Sequence, residues 1–312
     1  MRKTSKRSLL RQKIIKKKID INATGISRKY DNDNIFRSVR FFPHGPPIFE
    51  ALKLQKIEYF DLFLKNKADV GLLDSNGNSI LHFFIKHCSK KYPIKLFDEI
   101  FKTLLDYKID HNSRDEEGFD VLNLMAQYSL DELFPAFFKK IKNINVNSFN
   151  NNGDNILMHS ITLGNDLSQS TKLLIRKKAN LDFFNLDGTN ALMWSVNFEN
   201  PSTLKFLMES GANTLSVDKK GNNLMHFLVK IDRFHYDNSY NKFYRIILKN
   251  NLELLVQKNN EGNSPLDIIK SSGMYYGEKR KLIYGFVKKI RVEKKKKQKA
   301  SQKNKSRGMS RY

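Results

Sequence analysis

Short polar turns alternate with apolar stretches of helical length through the central part of the sequence. Six turns share the pattern (Asp/Asn)-x-x-Gly-x-(Ser/Asp/Asn), and their glycines recur at intervals of 33 to 41 residues. Asp or Asn opens a tight turn by bonding its own downstream backbone, and Gly supplies the positive φ that such a turn often requires. The recurrence predicts a chain of repeated units. The glycines are Gly77, Gly118, Gly153, Gly188, Gly221 and Gly262.

Each turn is followed by the signals of a helix start. The polar residue two positions after each glycine is a preferred N-cap, because its side-chain oxygen can accept a first-turn N–H. An apolar pair comes next, and a second apolar stretch with helical spacing, such as residues 202–210, precedes the following turn. The pattern therefore predicts two helices in each unit. The predicted N-caps are Ser79, Asp120, Asn155, Asn190, Asn223 and Ser264.

Two of these segments carry a family resemblance. Ser79-Ile80-Leu81-His82 and Ser264-Pro265-Leu266-Asp267 resemble the Thr-Pro-Leu-His box of ankyrin repeats. Gly211-Ala212-Asn213 and Ala68-Asp69-Val70 resemble the ankyrin segment that ends the second helix. The resemblance covers about residues 46–286. It implies an all-α ankyrin-repeat solenoid of about seven stacked helix–turn–helix units, the first and last being caps.

Two intervals between turns are longer than the ~33 residues typical of this family. They place insertions at about residues 87–96 and 231–242. The second insertion is rich in Tyr and Phe. We interpret it as a protruding loop or extended helix that packs its own aromatic side chains, with a base-stacking surface as the open alternative.

The positive charge is confined to the two ends of the chain. The net charge is +24, of which residues 1–40 carry +10 and residues 279–312 carry +14, so that residues 41–278 are neutral. The charge distribution predicts a basic N-terminal tail (1–44), a repeat domain (45–287) and a basic C-terminal tail (288–312). Like-charge runs of this kind are typical of disorder, so we expect disordered basic tails.

The basic tails allow three interpretations, and the sequence does not choose among them. They could be nuclear-import signals, electrostatic arms for nucleic acid, or contacts to an anionic membrane. In the N-terminal tail, Leu10, Ile14 and Ile15 could line one side of a short basic amphipathic helix, which slightly favours a membrane or a partner groove. The candidate basic residues are Lys16, Lys17, Lys18, Lys294, Lys295, Lys296 and Lys297.

No catalytic or metal-binding motif was found. Phosphate-loop, zincin, nucleophile-elbow and EF-hand patterns are missing from the sequence. His82, His159 and His226 recur with the repeat, which indicates a structural role. His82, His87 and Cys88 are close in sequence, but helical geometry would spread them apart. We therefore predict no catalytic residues, no metal, no cofactor, no small-molecule substrate and no enzyme activity.

The exposed turn tips are the candidate binding site. In a repeat stack each unit contributes its tip and first helix to one concave surface. The row of tips changes from acidic through neutral to basic and back, which could select a partner protein by charge, or could be a solvated edge. We predict a monomeric protein-interaction scaffold. The tip residues are Ser75, Asn76, Glu116, Glu117, Asn151, Asn152, Leu186, Asp187, Lys219, Lys220, Asn260 and Glu261.

The cellular context is predicted from composition alone. No stretch reaches the ~18 apolar residues of a membrane helix, and the first residues lack the apolar core of a secretory signal. A single cysteine favours a reducing compartment. We expect a cytoplasmic or nuclear protein. Heavy use of Lys, Asn and Ile resembles proteins from AT-rich genomes. Ankyrin-like chains of this kind resemble host-directed effectors of intracellular bacteria, and equally the repeat proteins of amoebae or large viruses.

Overall fold

The computed structural model describes residues 46–107, 109–161, 166–232, 240–249, 251–271, 281–292 and 295. These residues form two compact units, which meet in sequence between Ser160 and Ile161, with Arg176–Ala179 belonging to the first. Both units are built from helices, and fourteen α-helices lie within the described residues. The predicted all-α architecture of stacked helix–turn–helix repeats is confirmed.

The first unit contains the helices of the early repeats. First helices of successive repeats pack on one another, α1 against α3, α3 against α5 and α5 against α7. The second helix of a repeat packs against its own first helix, as α2 does on α1 and α4 on α3. The bounds are α1 Pro47–Lys53, α2 Ile57–Lys65, α3 Ile80–Cys88, α4 Ile94–Leu104, α5 Val121–Gln127, a 3-10 turn Asp131–Leu133, α6 Phe134–Lys140 and α7 Ile156–His159.

The second unit repeats the same arrangement. Its first helices pack in the order α9, α11, α13, and the second helix α10 contacts α12. The bounds are α8 Gln169–Arg176, which ends at the boundary with the first unit, α9 Ala191–Asn197, α10 Pro201–Glu209, α11 Leu224–Asp232, α12 Asn241–Leu248, a 3-10 turn Leu252–Leu255, α13 Pro265–Ser271 and α14 at residues 281–292.

The predicted N-caps form at five of the six positions. The side-chain oxygens of Asp120, Asn155 and Asn190 each accept an N–H three residues ahead, at 2.8 to 3.1 Å. Asn223 accepts from the N–H of Met225 at 3.0 Å, and Ser264 from that of Asp267 at 3.2 Å. Ser79 is the exception, since its side chain makes no cap bond. Its hydroxyl is bonded to the ring of His82 instead, at 2.6 Å.

Aromatic side chains fill the core between the second helices of the first unit. Phe84 stacks on Phe97 with ring centroids 4.3 Å apart, and Phe97 continues to Phe101 at 6.4 Å. Phe101 then reaches Phe137 of α6 at 6.5 Å. All four rings are fully buried. Because aromatic pairs stabilise beyond the area they bury, this series links α3, α4 and α6 into one core.

The two predicted insertions have different outcomes. At 87–96 the extra residues lengthen both helices of the repeat, so that α3 has 9 residues and α4 has 11. At 231–242 only residues 231–232 and 240–242 lie within the described residues. There Tyr240 is 2% exposed, and Phe243 and Tyr244 of α12 are buried too. The aromatic residues described in this segment therefore pack inward.

The C-terminal helix α14 crosses the predicted tail boundary. It extends through residues 288–292, and Lys295 is also helical. Ile283, Phe286 and Ile290 are buried. Their i, i+3, i+7 spacing gives the helix an apolar stripe that the run of lysines obscured in the sequence. Residues 1–44, which include Lys16 to Lys18, lie outside the described residues, as do Lys294, Lys296 and Lys297.

Candidate partner-binding site

The six turns have one geometry, which sets the position of every tip residue. The backbone N–H of the opening Asp or Asn donates to the carbonyl four residues ahead, for example from Asp74 to Asn78 at 2.9 Å. The side-chain oxygen of Asp74 accepts the N–H groups of Asn76 and Asn78, at 2.9 and 2.8 Å. The same bonds recur at Asp115, Asn150, Asn185, Asp218 and Asn259.

In both units, bonds join some of the neighbouring tips to each other. In the first unit the N–H of Asn151 donates to the carbonyl of Glu117 at 3.0 Å, and its side chain donates to the carbonyl of Glu116 at 2.8 Å. In the second unit Asn260 bonds Lys220 and Lys219 in the same way, at 3.0 and 3.2 Å. These bonds hold neighbouring tips at fixed spacing, so part of the predicted binding row stabilises the stack.

Charge at the tips is partly compensated by the helix before them. The ammonium of Lys86 in α3 lies 2.7 Å from Asp115 and 3.5 Å from Glu117. Burial of Lys86 lowers its pKa, but the two carboxylates outweigh that effect and hold the pKa above its usual value. Glu116 and Glu117 therefore form a less negative tip than the sequence alone implies.

All twelve predicted tip residues are exposed to solvent. The structure brings Glu116, Glu117 and Asn151 together in the first unit, and Lys219, Lys220 and Asn260 in the second. The ammonium of Lys219 also donates to the carbonyl of Leu186. Leu186 is the one apolar tip residue and is 62% exposed.

Exposed apolar side chains beside the tips were missed in the sequence. Phe184, Leu215 and Val217 are 41%, 52% and 39% exposed. With Leu186 they form the apolar tip patch, on two neighbouring turns that are joined by a 2.7 Å bond from the N–H of Asn213 to Asp182. The available signal for Phe184 and Val217 was an apolar residue directly before the turn-opening Asn185 or Asp218, and Leu215 carries no such signal.

The first unit has a smaller version of this surface. Leu73 and Phe149 occupy the same position, directly before a turn, and are 48% and 42% exposed. The guanidinium of Arg114 lies 5.3 Å from the centre of the Phe149 ring and donates to the Phe149 carbonyl at 2.8 Å. Because the cation covers one ring face, Phe149 is less available to a partner than Phe184 is.

Comparison with known proteins identifies the repeats. Residues 122–218 match the family model for ankyrin repeats, in three copies. This is an ankyrin repeat protein. Its fold is similar to the crystal structure of the ankyrin repeat domain of Bcl-3, described as a unique member of the IkappaB protein family. The TM-score is 0.56 and the identity 15%, over 71% of this chain and 92% of that one.

Two further structures share the ankyrin fold. The ankyrin repeat protein EF0377 matches with a TM-score of 0.51 and 21% identity, over 64% of this chain and 95% of that one. A chain from the complex of the predatory endopeptidase Bd0816 of Bdellovibrio bacteriovorus with the immunity protein Bd3460 matches with a TM-score of 0.51 and 19% identity, over 62% and 96%. No curated protein sequence matches this chain.

The ankyrin box histidines join one repeat to the next. Nε2 of His82 lies 3.0 Å from the carbonyl of Phe119, and Nδ1 lies 2.6 Å from the Ser79 hydroxyl. A carbonyl only accepts, so Nε2 carries the proton and Nδ1 accepts from Ser79. His226 makes the same forward bond to Asn263 at 3.0 Å. Both histidines therefore connect their own helix to the following turn.

His159 does not belong to this set. It lies four residues after its N-cap, whereas His82 and His226 lie three residues after theirs. Its Nε2 is 3.4 Å from the side-chain amide of Asn150, within the same repeat. The prediction grouped the three histidines by their recurrence, but the one-residue offset directs His159 differently.

Acidification is expected to destabilise the fold through these histidines. Burial lowers the pKa of His82 and of His226, and lowers that of His159 to about 4. The unfolded chain takes up protons near pH 6.5. Stability is therefore complete above pH ~6.5 and decreases as the pH falls toward about 4. Since the His159 ring is only half-buried, we expect it to contribute about 1–2 kcal/mol.

Urea unfolding at several pH values measures this effect. His159→Gln is expected to lose part of the pH dependence between pH ~6.5 and ~4 while the carboxylate contribution stays. An unchanged pH profile in that variant would contradict the assignment.

His87 and Cys88, which lie close to His82 in the sequence, are held by packing against other side chains. Cys88 is fully buried, and burial raises its pKa to about 12, so the thiol stays protonated. The ring of His87 packs against Phe83, with centroids 4.6 Å apart. Within the described residues, no three His, Cys, Asp or Glu side chains converge on a point that a metal ion could occupy.

Among the described helices, none combines the length and the apolar character that crossing a membrane requires.

Proposed function

We propose that this ankyrin repeat protein is an interaction scaffold that binds a partner protein through its turn tips, centred on the apolar tip patch. The observation that supports this most strongly is the exposure of Phe184, Leu186, Leu215 and Val217 on two neighbouring turns. Exposed apolar side chains in a cluster, bordered by polar groups, are typical of protein interaction sites. The turns are held by backbone and Asx hydrogen bonds, so the patch is rigid and little conformational entropy is lost on binding.

The charges around the patch indicate the chemistry of the partner. Lys219 and Lys220 are exposed beside Val217, and Asp187 is exposed beside Leu186. A partner that places an apolar group on the patch and a carboxylate toward Lys220 would match both features. The Lys219 ammonium is bonded to the Leu186 carbonyl, which leaves Lys220 as the basic residue that governs recognition.

Replacing three patch residues is expected to abolish capture of the partner. Phe184→Ser, Leu186→Ser and Leu215→Ser together remove apolar groups that are 41%, 62% and 52% exposed. Losing ~1 kcal/mol or more at each of the three positions predicts a reduction in binding of roughly a hundredfold or more. The measurement is quantitative proteomics of proteins captured from cell lysate by the immobilised full chain.

The matched control replaces three exposed apolar residues away from the turn tips. Leu54, Ile94 and Tyr107 are 43%, 55% and 38% exposed, and their replacement by Ser changes the surface to a similar extent. Proteins lost with the patch variant and kept with the control support the proposal. Equal capture by both variants would show that the patch is not the binding site.

Lys220→Glu tests the charge component by itself. Because Lys220 is exposed and joins the turn bonds through its backbone N–H and carbonyl, we expect binding of the same partner to fall roughly tenfold with no change in thermal stability. Isothermal titration with the captured partner and a thermal melt measure the two quantities. Unchanged affinity would mean that the patch acts by apolar contact alone.

A further inference from the structure

The C-terminal helix α14 has two chemically distinct faces. Ile283, Phe286 and Ile290 are buried, with exposed fractions of 0%, 8% and 8%. On the other side Tyr284, Lys288 and Arg291 are exposed, and so is the helical residue Lys295. The spacing i, i+4, i+7, i+11 from Tyr284 to Lys295 is that of residues on one helical face.

This outer face is basic, and Glu293 is the one acidic residue in the sequence between Tyr284 and Lys295. Residues 281–292 contain no Asp or Glu. Tyr284 and Arg291 are seven residues apart, which corresponds to about 10 Å along a helix. Two cations and an aromatic ring on a rigid surface of that length match successive units of a polyanion.

Tyr284 and Gly285 give the outer face an exposed aromatic ring next to a position that has no side chain. The Tyr284 ring is 57% exposed, the largest exposure among the described large apolar side chains after Leu186. Gly285 lies in the middle of the helix, where glycine lowers helix stability relative to alanine. A Cβ at Gly285 would meet no atom within 4 Å, so packing does not require glycine there. With no side chain at position 285, a flat group can approach the Tyr284 ring from that side.

The packing of α14 argues against insertion into a membrane. An amphipathic helix binds a bilayer by burying its apolar face in the lipid. Here that face is already buried in the protein, so only the basic face is presented. Lys289, which lies to one side, has its ammonium 5.7 Å from the Phe286 ring centre and does not extend the outer face.

We propose that the outer face of α14 binds single-stranded nucleic acid, with Lys288, Arg291 and Lys295 contacting phosphates and Tyr284 stacking on a base. Cations that contact the backbone, combined with an aromatic ring that stacks on a base, are the arrangement by which proteins bind single strands with little sequence preference. This site shares no residue with the apolar tip patch, so variants can test the two sites independently.

The test measures binding of the full chain to a fluorescein-labelled oligothymidylate of about 20 nucleotides. Fluorescence anisotropy is recorded between about 50 and 300 mM NaCl. The triple variant Lys288→Gln, Arg291→Gln and Lys295→Gln is expected to bind roughly tenfold more weakly and to lower the magnitude of the salt slope by about 2. The control variant Lys56→Gln, Lys65→Gln and Lys95→Gln removes the same charge from exposed residues of the first unit and is expected to change affinity less than about twofold.

Tyr284 variants test the stacking component. Tyr284→Ala is expected to weaken binding about tenfold, whereas Tyr284→Phe keeps the ring and the affinity. Thermal melting of each variant verifies that the fold is retained. Loss of binding in Tyr284→Ala with retention in Tyr284→Phe supports a single-strand site.

Three outcomes would overturn the proposal. Equal binding by the triple variant and its control would place the affinity in the basic residues outside α14. No loss in Tyr284→Ala, or tighter binding of a duplex of the same length, would exclude base stacking. Binding to vesicles with roughly a third phosphatidylserine, lost in the triple variant while the oligonucleotide does not bind, would identify a lipid surface instead.

Discussion

Gly118→Ala is expected to destabilise the first unit by about 3 kcal/mol, mainly by separating two neighbouring turns. Gly118 has φ +81°, where a side chain is strained. A Cβ there would also lie 2.7 Å from the backbone nitrogen of Asn151 and 2.3 Å from its side-chain oxygen. Asn151 would have to move, and its two bonds to Glu116 and Glu117 would be lost.

Gly77→Ala is the matched control for this prediction. Gly77 has φ +75° in the same type of turn, but a Cβ would meet nothing within 4 Å. We therefore expect a loss of only about 1 kcal/mol, from backbone strain. Urea unfolding, with hydrogen exchange at residues 115–120 and 150–155, measures both variants. Equal losses would show that contact between the turns contributes nothing to stability.

His82→Ala is expected to cost about 2–3 kcal/mol. The ring is 1% exposed and bonds Ser79 in its own repeat and Phe119 in the next. The variant leaves a cavity and removes both bonds. The Phe119 carbonyl still accepts the N–H of Asp115 at 3.0 Å, which limits the loss.

His159→Ala provides the comparison for His82→Ala. His159 is half-buried, and its bond to Asn150 is long, at 3.4 Å. We expect a loss of ~1 kcal/mol at neutral pH. The difference between the two variants in urea unfolding reports the combined value of the deeper burial of His82 and of its bonds to Ser79 and Phe119. If the two losses are the same, the expectation that burial and the bonds to Ser79 and Phe119 stabilise the stack is wrong.

The repeat and its helices could be predicted from local sequence because their causes are local. A positive φ at glycine, an Asx turn and an N-cap each involve atoms within four residues of one another. Asp120 and Asn155 behave as predicted for that reason. Ser79 differs because its hydroxyl is also within reach of His82, and which partner it takes depends on where that ring lies.

The candidate site was only partly visible in the sequence. The twelve tip residues were predicted and are exposed, since a turn tip projects from the stack wherever the turn forms. Phe184, Leu215 and Val217 were not singled out, because an apolar residue beside a turn looks the same whether it will be buried or exposed. Their exposure depends on what the adjacent repeat covers.

By itself the sequence determined the repeat, the turns and most of the helix starts, and it separated a neutral body from basic ends. Tertiary structure decided which tips are bonded to a neighbour, which apolar groups remain exposed and where the C-terminal basic region becomes helix. The turn pattern is encoded by contacts inside one repeat. The interaction surfaces depend on contacts between different repeats, whose residues are about 33 or more positions apart, as in the bond between Asn260 and Lys219. The sequence pattern within one repeat does not specify those contacts.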